Sequence, residues 1–444
     1  MTDARQAKAF SRVRRSLPIA VGAAIVVLPL GDTAVPVVGL SLSFVAMAVP
    51  ALLALVVLVR DEAPLPSSLV LLGLSLGVAA GVVSAASGVD PDRSIALVVI
   101  SLITLGYAFA IAFAHRPGLE VDGVDLLVVV GGVVAMMALA SAGSIEAAEA
   151  GNVVNGRLTG PFAQPNELGV FCAALLPLAV AATVTAGSRR RTAVLGLSAA
   201  CLAAACVLSM SRGAWIGCVV GLAALAVLAP ATRRALGTVA AALAGTAVLA
   251  LVLPSSAPLL GVFALRMRSL GDPTQNQYDD RPLIWGEAWR QATEHPWWGI
   301  GPGAYQQAAS GAVSRVSARP ADHPHDLPLT ILAERGMIGV GLAVVVVVGC
   351  ALAARRLMRH GDELVAADRL RRTRGLAVIA GLIAVAIHGT FDMPLRNPIV
   401  AGLVWTLLGI AVVVDLTTKQ GRSAEPGPRR TLHPLTLGSE PPPC

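Results

Sequence analysis

The sequence predicts an all-α, polytopic membrane bundle, and three observations carry that prediction. Hydrophobic residues make up 55% of the 444 residues and charged residues only 14%, with a mean hydropathy of +0.72, which is too apolar for a soluble chain of this length. The apolar residues fall into about twelve runs, each close to the roughly 20 residues a helix needs to cross hydrocarbon. The arginines and lysines collect in alternate loops, the pattern of a chain that keeps its basic loops on the cytoplasmic side.

A basic segment, 1–16, precedes the first run and reads as a cytoplasmic tail. The expected spans are then 17–31, 34–59, 67–88, 93–114, 124–145, 167–187, 192–211, 213–229, 235–254, 328–353, 375–393 and 397–415. Almost no loop divides 17–59 or 192–229, so each is either a tight helical hairpin or a misdivided run. The first run lacks a small-residue cleavage site and reads as a retained helix. Nine runs fill 17–254, one long loop occupies 255–327 between the ninth and tenth, and three more runs fill 328–415. The tail 416–444, rich in Pro, Gly and charge, is expected to be disordered and cytoplasmic.

Orientation follows from the basic residues. With both termini inside, Arg5, Lys8, Arg12, Arg14, Arg15, Arg60, Arg116, Arg189 to Arg191, Arg233, Arg234, the seven arginines from Arg355 to Arg374, Lys419, Arg422, Arg429 and Arg430 all fall on the cytoplasmic side. The formal charge of +7 then belongs to loops facing anionic lipid and calls for no nucleic-acid partner. Cys172, Cys201, Cys206, Cys218 and Cys350 lie inside apolar runs and Cys444 is the last residue, so neither a disulfide nor a zinc pattern is present.

Most of the outer basic residues, Arg268 among them, fall in 255–327, which concentrates functional expectation there. Within it DDRPLIWGEAWRQATEHPWWGIG reads as a short helix with Asp280 as N-cap, Pro282 in the first turn and a stop before Pro296. Ile284, Trp285, Ala288, Trp289 and Ala292 share one face. With Trp297 and Trp298 close behind, that face lies either on the outer membrane surface or inside a small extracytoplasmic lid. Either placement sets Arg281 at the helix N-terminus. GIGPGAY (299–305) follows no strand and is broken by Pro302, so it is a glycine-rich turn and not a nucleotide loop.

Arg212, in SRGAWIG, sits at a helix start. It either snorkels to the interface or joins the free N–H groups in holding an anion. NGRLTGPFAQPNELGVF (155–171) is a loop entering a helix capped by Asn166, with Arg157 on the same outer side. HPHDLPLTILAERGMIG (323–339) places His323, His325 and Asp326 before the tenth span, where His325 is either a helix cap or a reactive group. His388, near Asp392 in HGTFDMP, either packs or lines a cavity.

Taken in order, GRLTGPFAQPNELG, SRGAWIG, RPLIWGEAWRQATEHPWWGIGPGAY, HPHDLPLTILAERGMIG and HGTFDMPLRNPIVAGLVWTLLGI resemble the O-antigen ligase/polymerase family of bacterial membrane glycosyltransferases, over about 155–415. The resemblance implies a GT-C-like bundle in the plasma membrane. It implies transfer of an oligo- or polysaccharide from a polyprenyl-diphosphate carrier to a glycan or glycolipid acceptor hydroxyl, outside the cytoplasm, without metal, nucleotide or other cofactor. The family's functional arginines fall on Arg212 and Arg281 and its essential histidine on His325. Arg157, Asn166, Asp326, His323 and Arg268 are carried as substrate-binding candidates. The family usually has Asn where this chain has Asp326, so a carboxylate is expected to act on the imidazole.

That chemistry suits an extracytoplasmic site. A lipid diphosphate brings its own activation, and guanidinium forks match the oxygens of the leaving group and stay charged at any relevant pH. The competing classes are a transporter or flippase for lipid-linked glycans, and an inert partner in a polysaccharide assembly complex. A flippase needs a hydrophilic path, and the spans carry almost no charge to line one.

Overall fold

The computed structural model describes residues 2–31, 40–60, 65–114, 119–142, 153–154, 156–241, 261, 280–310, 321–359 and 366–423. Its helices are α1 (Thr2–Val27), α2 (Leu42–Arg60), α3 (Leu69–Ser87), α4 (Pro91–Ala114), α5 (Leu119–Ala140), α6 (Pro165–Val184), α7 (Arg189–Leu208) and α8 (Arg212–Leu228). They continue with α9 (Arg281–Glu294), α10 (Tyr305–Ala308), α11 (Leu327–Arg359), α12 (Ala366–Gly389) and α13 (Pro398–Ser423). The only strands among the described residues are the antiparallel pair Val153–Val154 and Arg157–Leu158. The chain is an all-α polytopic membrane protein.

Eight of these helices are long and apolar enough to cross a bilayer, or nine if α8 and the following Pro230–Ala241, bent from it by 116°, make one span. The expected span 235–254 lies mostly outside the described residues, as does much of the loop 255–327 with Arg268. The two doubtful divisions correspond to real breaks. A 3-10 turn at Leu28–Leu30 ends the first helical run, and Ser209–Ser211 separates α7 from α8.

Two helices form the centre. In α6 and α13, 83% of the apolar window is buried, against 22% in α11. A helix apolar on every side is a buried helix, and α6 reads FCAALLPLAVAA with small residues that let its neighbours approach closely. It packs against α5, α7, α8 and α12, while α13 packs on α4, α11 and α12.

The polar residues sort to two ends of the bundle. At one end Asp125 takes both Arg191 and the nearly inaccessible Arg374 (Nη1 to Oδ1, 2.7 Å), Arg374 Nε also donates to Thr185 Oγ1 at 3.1 Å, and Arg356 pairs with Asp415. All of these come from helix ends that the arginine pattern assigns to one side. Arg157, Asn166, Arg212, His325 and Asp392 gather at the opposite end.

A lid covers that second end. Ile284 and Ala288 of α9 pack with Ile300, Ala304, Tyr305 and Ala333 in a small core of their own. Tyr305 donates to Ile284 O at 2.8 Å, and Gln291 donates to Tyr305 O at 3.1 Å. Of the two placements open to the apolar face of α9, the structure adopts the interior of the lid. Trp289, expected on the same face, is not part of this core and is 59% exposed. Asp280 occupies the N-cap position without a side-chain cap bond.

The lid is fastened by two glycines. Gly299 (φ 71°) and Gly336 (φ 63°) are left-handed, and a Cβ on either would lie 2.3 Å from the opposing backbone, at Glu334 C or Trp297 O. Only residues without a side chain permit that approach. Backbone bonds from Ile300 N to Ala333 O (3.0 Å), Gly301 N to Glu334 O (3.1 Å) and Met337 N to Pro296 O (2.8 Å) then hold the GIGPG turn on α11. Val89 N to Ile300 O (2.8 Å) and Ser94 Oγ to Pro302 O (3.0 Å) tie it to the α3–α4 turn.

Candidate functional site

The site is built where the starts of α6, α8, α9 and α11 meet the turn 390–397 between α12 and α13. His325 has φ 52°, an uncommon backbone state for a residue with a Cβ, set between Pro324 and the residue that caps α11. Its Nδ1 lies 3.2 Å from Asp392 Oδ1, and its imidazole keeps 37% of its surface open. Asp392 is held in turn. Oδ1 accepts from Met393 N at 2.8 Å, and Oδ2 accepts from Asn166 Nδ2 at 2.8 Å. Asn166 Oδ1 accepts from Arg157 Nη2 at 2.6 Å, and Arg157 Nε donates to Ser209 O at 3.1 Å. A hydrogen-bonded line thus runs from the α7–α8 junction to the imidazole. Burial pulls the Asp392 carboxyl upward, but the His325 hydrogen bond and the nearby imidazoles outweigh it and hold the group below the usual carboxylate range. Asp392 therefore faces His325 as a carboxylate.

The arginines approach from two sides. Arg212 is the first residue of α8, behind N-cap Ser211, whose Oγ accepts from Ala214 N at 3.4 Å. The remaining N–H groups of that turn and the helix dipole favour an anion. The next residue, Gly213, lies against His388 and Phe391, with a hypothetical Cβ 3.0 Å from His388 Nδ1. Buried His388 sits within electrostatic reach of both Asp392 and Arg281. Trp285, one turn from Arg281 on the same side of α9, donates its indole N–H to Pro324 O at 3.1 Å. That bond ties the start of the lid helix to the residue before His325.

His323 occupies a second, adjoining cluster. It is 7% exposed, its ring centroid is 4.0 Å from that of His325, and its Nδ1 is 2.7 Å from Asp322 Oδ1. Arg396 pairs with the same carboxylate. The His323 hydrogen bond holds the Asp322 carboxyl down at about 2, while burial lowers the imidazole. A neutral His323 donating Nδ1–H to an ionised Asp322 satisfies both. Asp322, His323 and His325 bring ligand atoms within 4.8 Å of one another, so they are the described residues best placed to take a divalent ion. Arg396 already sets a positive charge on Asp322.

Of the sequence-derived candidates, the structure brings Arg157, Asn166, Arg212, Arg281, His323 and His325 to one end of the bundle. Asp326 has a different local role. Its Oδ1 accepts from Leu329 N at 2.8 Å as the N-cap of α11, and the carboxylate bonded to the His325 ring belongs to Asp392. Burial raises the Asp326 carboxyl. Arg157 and Asn166, read as substrate binders, are hydrogen-bonded to protein groups in the line that ends on Asp392. Arg268 lies outside the described residues. Asp392 and Arg396 were missed as site residues. Their motif was visible, but nothing in the sequence pairs Asp392 with a histidine 67 positions earlier.

No curated protein matches the chain at a significant level. Residues 197–345 match a family model described as O-antigen ligase, a stretch that runs from within α7 through Arg212, Arg281 and His325 into α11. Over that segment, about a third of its length, the chain is similar to the O-antigen ligase family.

Proposed function

We propose that this membrane enzyme transfers an oligo- or polysaccharide from a polyprenyl-diphosphate carrier to an acceptor hydroxyl on the extracytoplasmic side, with inversion at the sugar C1 and without a metal ion. The observation that carries this reading is the half-open imidazole of His325, backed by Asp392, at the end of the bundle where Arg212 begins α8 and Arg281 begins α9, with Arg281 within electrostatic reach of His388. In the reaction the acceptor oxygen attacks C1 and its proton passes to His325. The C1–O bond to the diphosphate breaks, and the electron pair leaves with the phosphate oxygen. Asp392 keeps the imidazole oriented and stabilises the imidazolium that forms, the role a buried carboxylate plays behind a base. Arg212 and Arg281 stabilise the growing negative charge through paired N–H contacts. Attack from the side opposite the diphosphate inverts the centre.

The test is incubation of the purified protein in liposomes with a polyprenyl-diphosphate oligosaccharide and a glycan or glycolipid acceptor. Release of free polyprenyl diphosphate together with an elongated or glycosylated acceptor is expected. Movement of intact lipid-linked glycan across the bilayer without release would instead assign a flippase. For sidedness, single cysteines at Ser310 and Val365 should differ, with a membrane-impermeant thiol reagent reaching only position 310 in intact cells.

A further inference from the structure

The lid also carries an apolar surface that the reaction does not use. Trp297 is 64% exposed and Trp298 38%, and Met337 beside them is 58% exposed. The three are one patch. Met337 N donates to Pro296 O at 2.8 Å, Ile338 N donates to Trp297 O at 3.3 Å, and Gly336 leaves the backbone of Trp297 and Trp298 in contact with α11. From Met337 the exposure continues down one face of α11 through Gly341, Val344 and Val348, positions spaced at the helical repeat. Just before the break in α11 at Gly336 (φ 63°, ψ −167°), Arg335 turns toward α3, its guanidinium 3.7 Å from a Cβ built on Gly81. The charge is inside and the indoles are outside.

Length fixes the depth of this patch. From Met337 to Arg356, the first paired arginine at the other end of α11, the helix rises about 28 Å at 1.5 Å per residue, close to the roughly 30 Å of a bilayer's hydrocarbon. Met337 therefore stands at the edge of the hydrocarbon and the two indoles stand beside it. That is the level at which tryptophan concentrates, with its ring apolar and its N–H wet.

We propose that Trp297, Trp298 and Met337 form an interfacial anchor that seats the lid in the headgroup–acyl boundary of the adjoining phospholipid leaflet. The occupant of this surface is the bilayer, because the patch is continuous with the exposed apolar stripe of α11, a helix long and apolar enough to cross a membrane. The proposal is independent of which reaction the site performs. It gives the GIGPG–RGMIG crossing a further consequence, since the backbone that fastens the lid also fixes its height on the membrane, and with it the height of Arg281.

Tryptophan fluorescence of the full chain in liposomes tests this, using phosphatidylcholine brominated close to the headgroup, phosphatidylcholine brominated near the acyl terminus, or aqueous iodide as quencher. The near-headgroup bromines should quench most strongly, and W297F/W298F should reduce that quenching by about twofold, whereas Trp289→Phe should leave it nearly unchanged. W297Y/W298Y supplies a second variant that preserves the interfacial preference, so the protein should insert as the wild type does while showing the same loss of indole quenching. Equal bromolipid quenching in the wild type and the double Phe variant would overturn the proposal. So would a wild-type signal from these two indoles that iodide quenches and bromolipid does not.

Discussion

His325 Nδ1 and Asp392 Oδ1 face each other at 3.2 Å, joining the segment before α11 to the turn after α12. A carboxylate in that position fixes which imidazole nitrogen carries the proton and leaves Nε2 to face a substrate. Asp392→Asn keeps the shape and the link to Asn166 but removes the charge, so turnover should fall by a factor on the order of 10² or more, with the protein still inserted. Single-turnover release of polyprenyl diphosphate measures it. Wild-type turnover in the variant would separate Asp392 from the chemistry.

The two histidines should divide sharply. His325→Ala removes the group with the open ring face and should cost on the order of 10² or more in turnover, with binding of the lipid-diphosphate donor retained. His323 is buried beneath it and hydrogen-bonded to Asp322. His323→Ala should therefore lower thermal stability more than it lowers turnover. Equal losses of turnover in the two variants would place the base function on the pair and not on His325.

Asp326 offers a cleaner separation of stability from activity. As the N-cap of α11 it accepts from Leu329 N, and Asn serves at that position as well as Asp does, whereas Ala forfeits about 1 kcal/mol. Asp326→Asn should match the wild type in both melting temperature and turnover, and Asp326→Ala should melt lower. A large activity loss in a stable Asp326→Asn protein would return this carboxylate to the reaction.

The membrane class was legible because composition and arginine placement are local sums, and the helices α2 to α8 lie close to the apolar runs that announce them. His325, Arg212 and Arg281 were legible as motif residues at helix starts. Asp326 misled for a physical reason: adjacency in sequence suggested that it acts on the imidazole, whereas the left-handed backbone at His325 accompanies an imidazole bonded to Asp392 and an Asp326 side chain that caps the helix. Asn166 and Arg157 could be placed with the motif residues but not in the hydrogen-bonded line that ends on Asp392. That line depends on three-dimensional packing of α6 against α8 and α12, which no periodicity encodes. The face of α9 was ambiguous because burial in a lid and burial in a membrane select the same residues.

Under the proposed reaction, chelation should leave turnover unchanged, since the arginines are assigned the leaving-group charge that a metal ion would otherwise stabilise. The trio Asp322, His323 and His325 makes this a real test and not a formality, because their ligand atoms lie within 4.8 Å of one another. Activity lost in EDTA and restored by Mg²⁺ or Mn²⁺ would assign the leaving-group role to a metal site there. It would also make His323→Ala as damaging as His325→Ala.

The arginines and the histidine can finally be distinguished by what each replacement preserves. Arg212→Lys and Arg281→Lys keep a positive charge at the starts of α8 and α9 but lose the planar fork that grips two phosphate oxygens at once. Each should weaken use of the lipid-diphosphate donor severely, in kcat/KM for the donor more than for the acceptor, while His325→Ala leaves donor binding and removes turnover. For Arg281 the effect should reappear when its tether is cut. Trp285→Phe deletes the bond to Pro324 O, letting the start of the lid helix drift from His325, so it should lower donor kcat/KM in the same direction but by less. Lysine variants with wild-type donor kcat/KM would show that charge alone suffices, and would remove the bidentate contact from the mechanism.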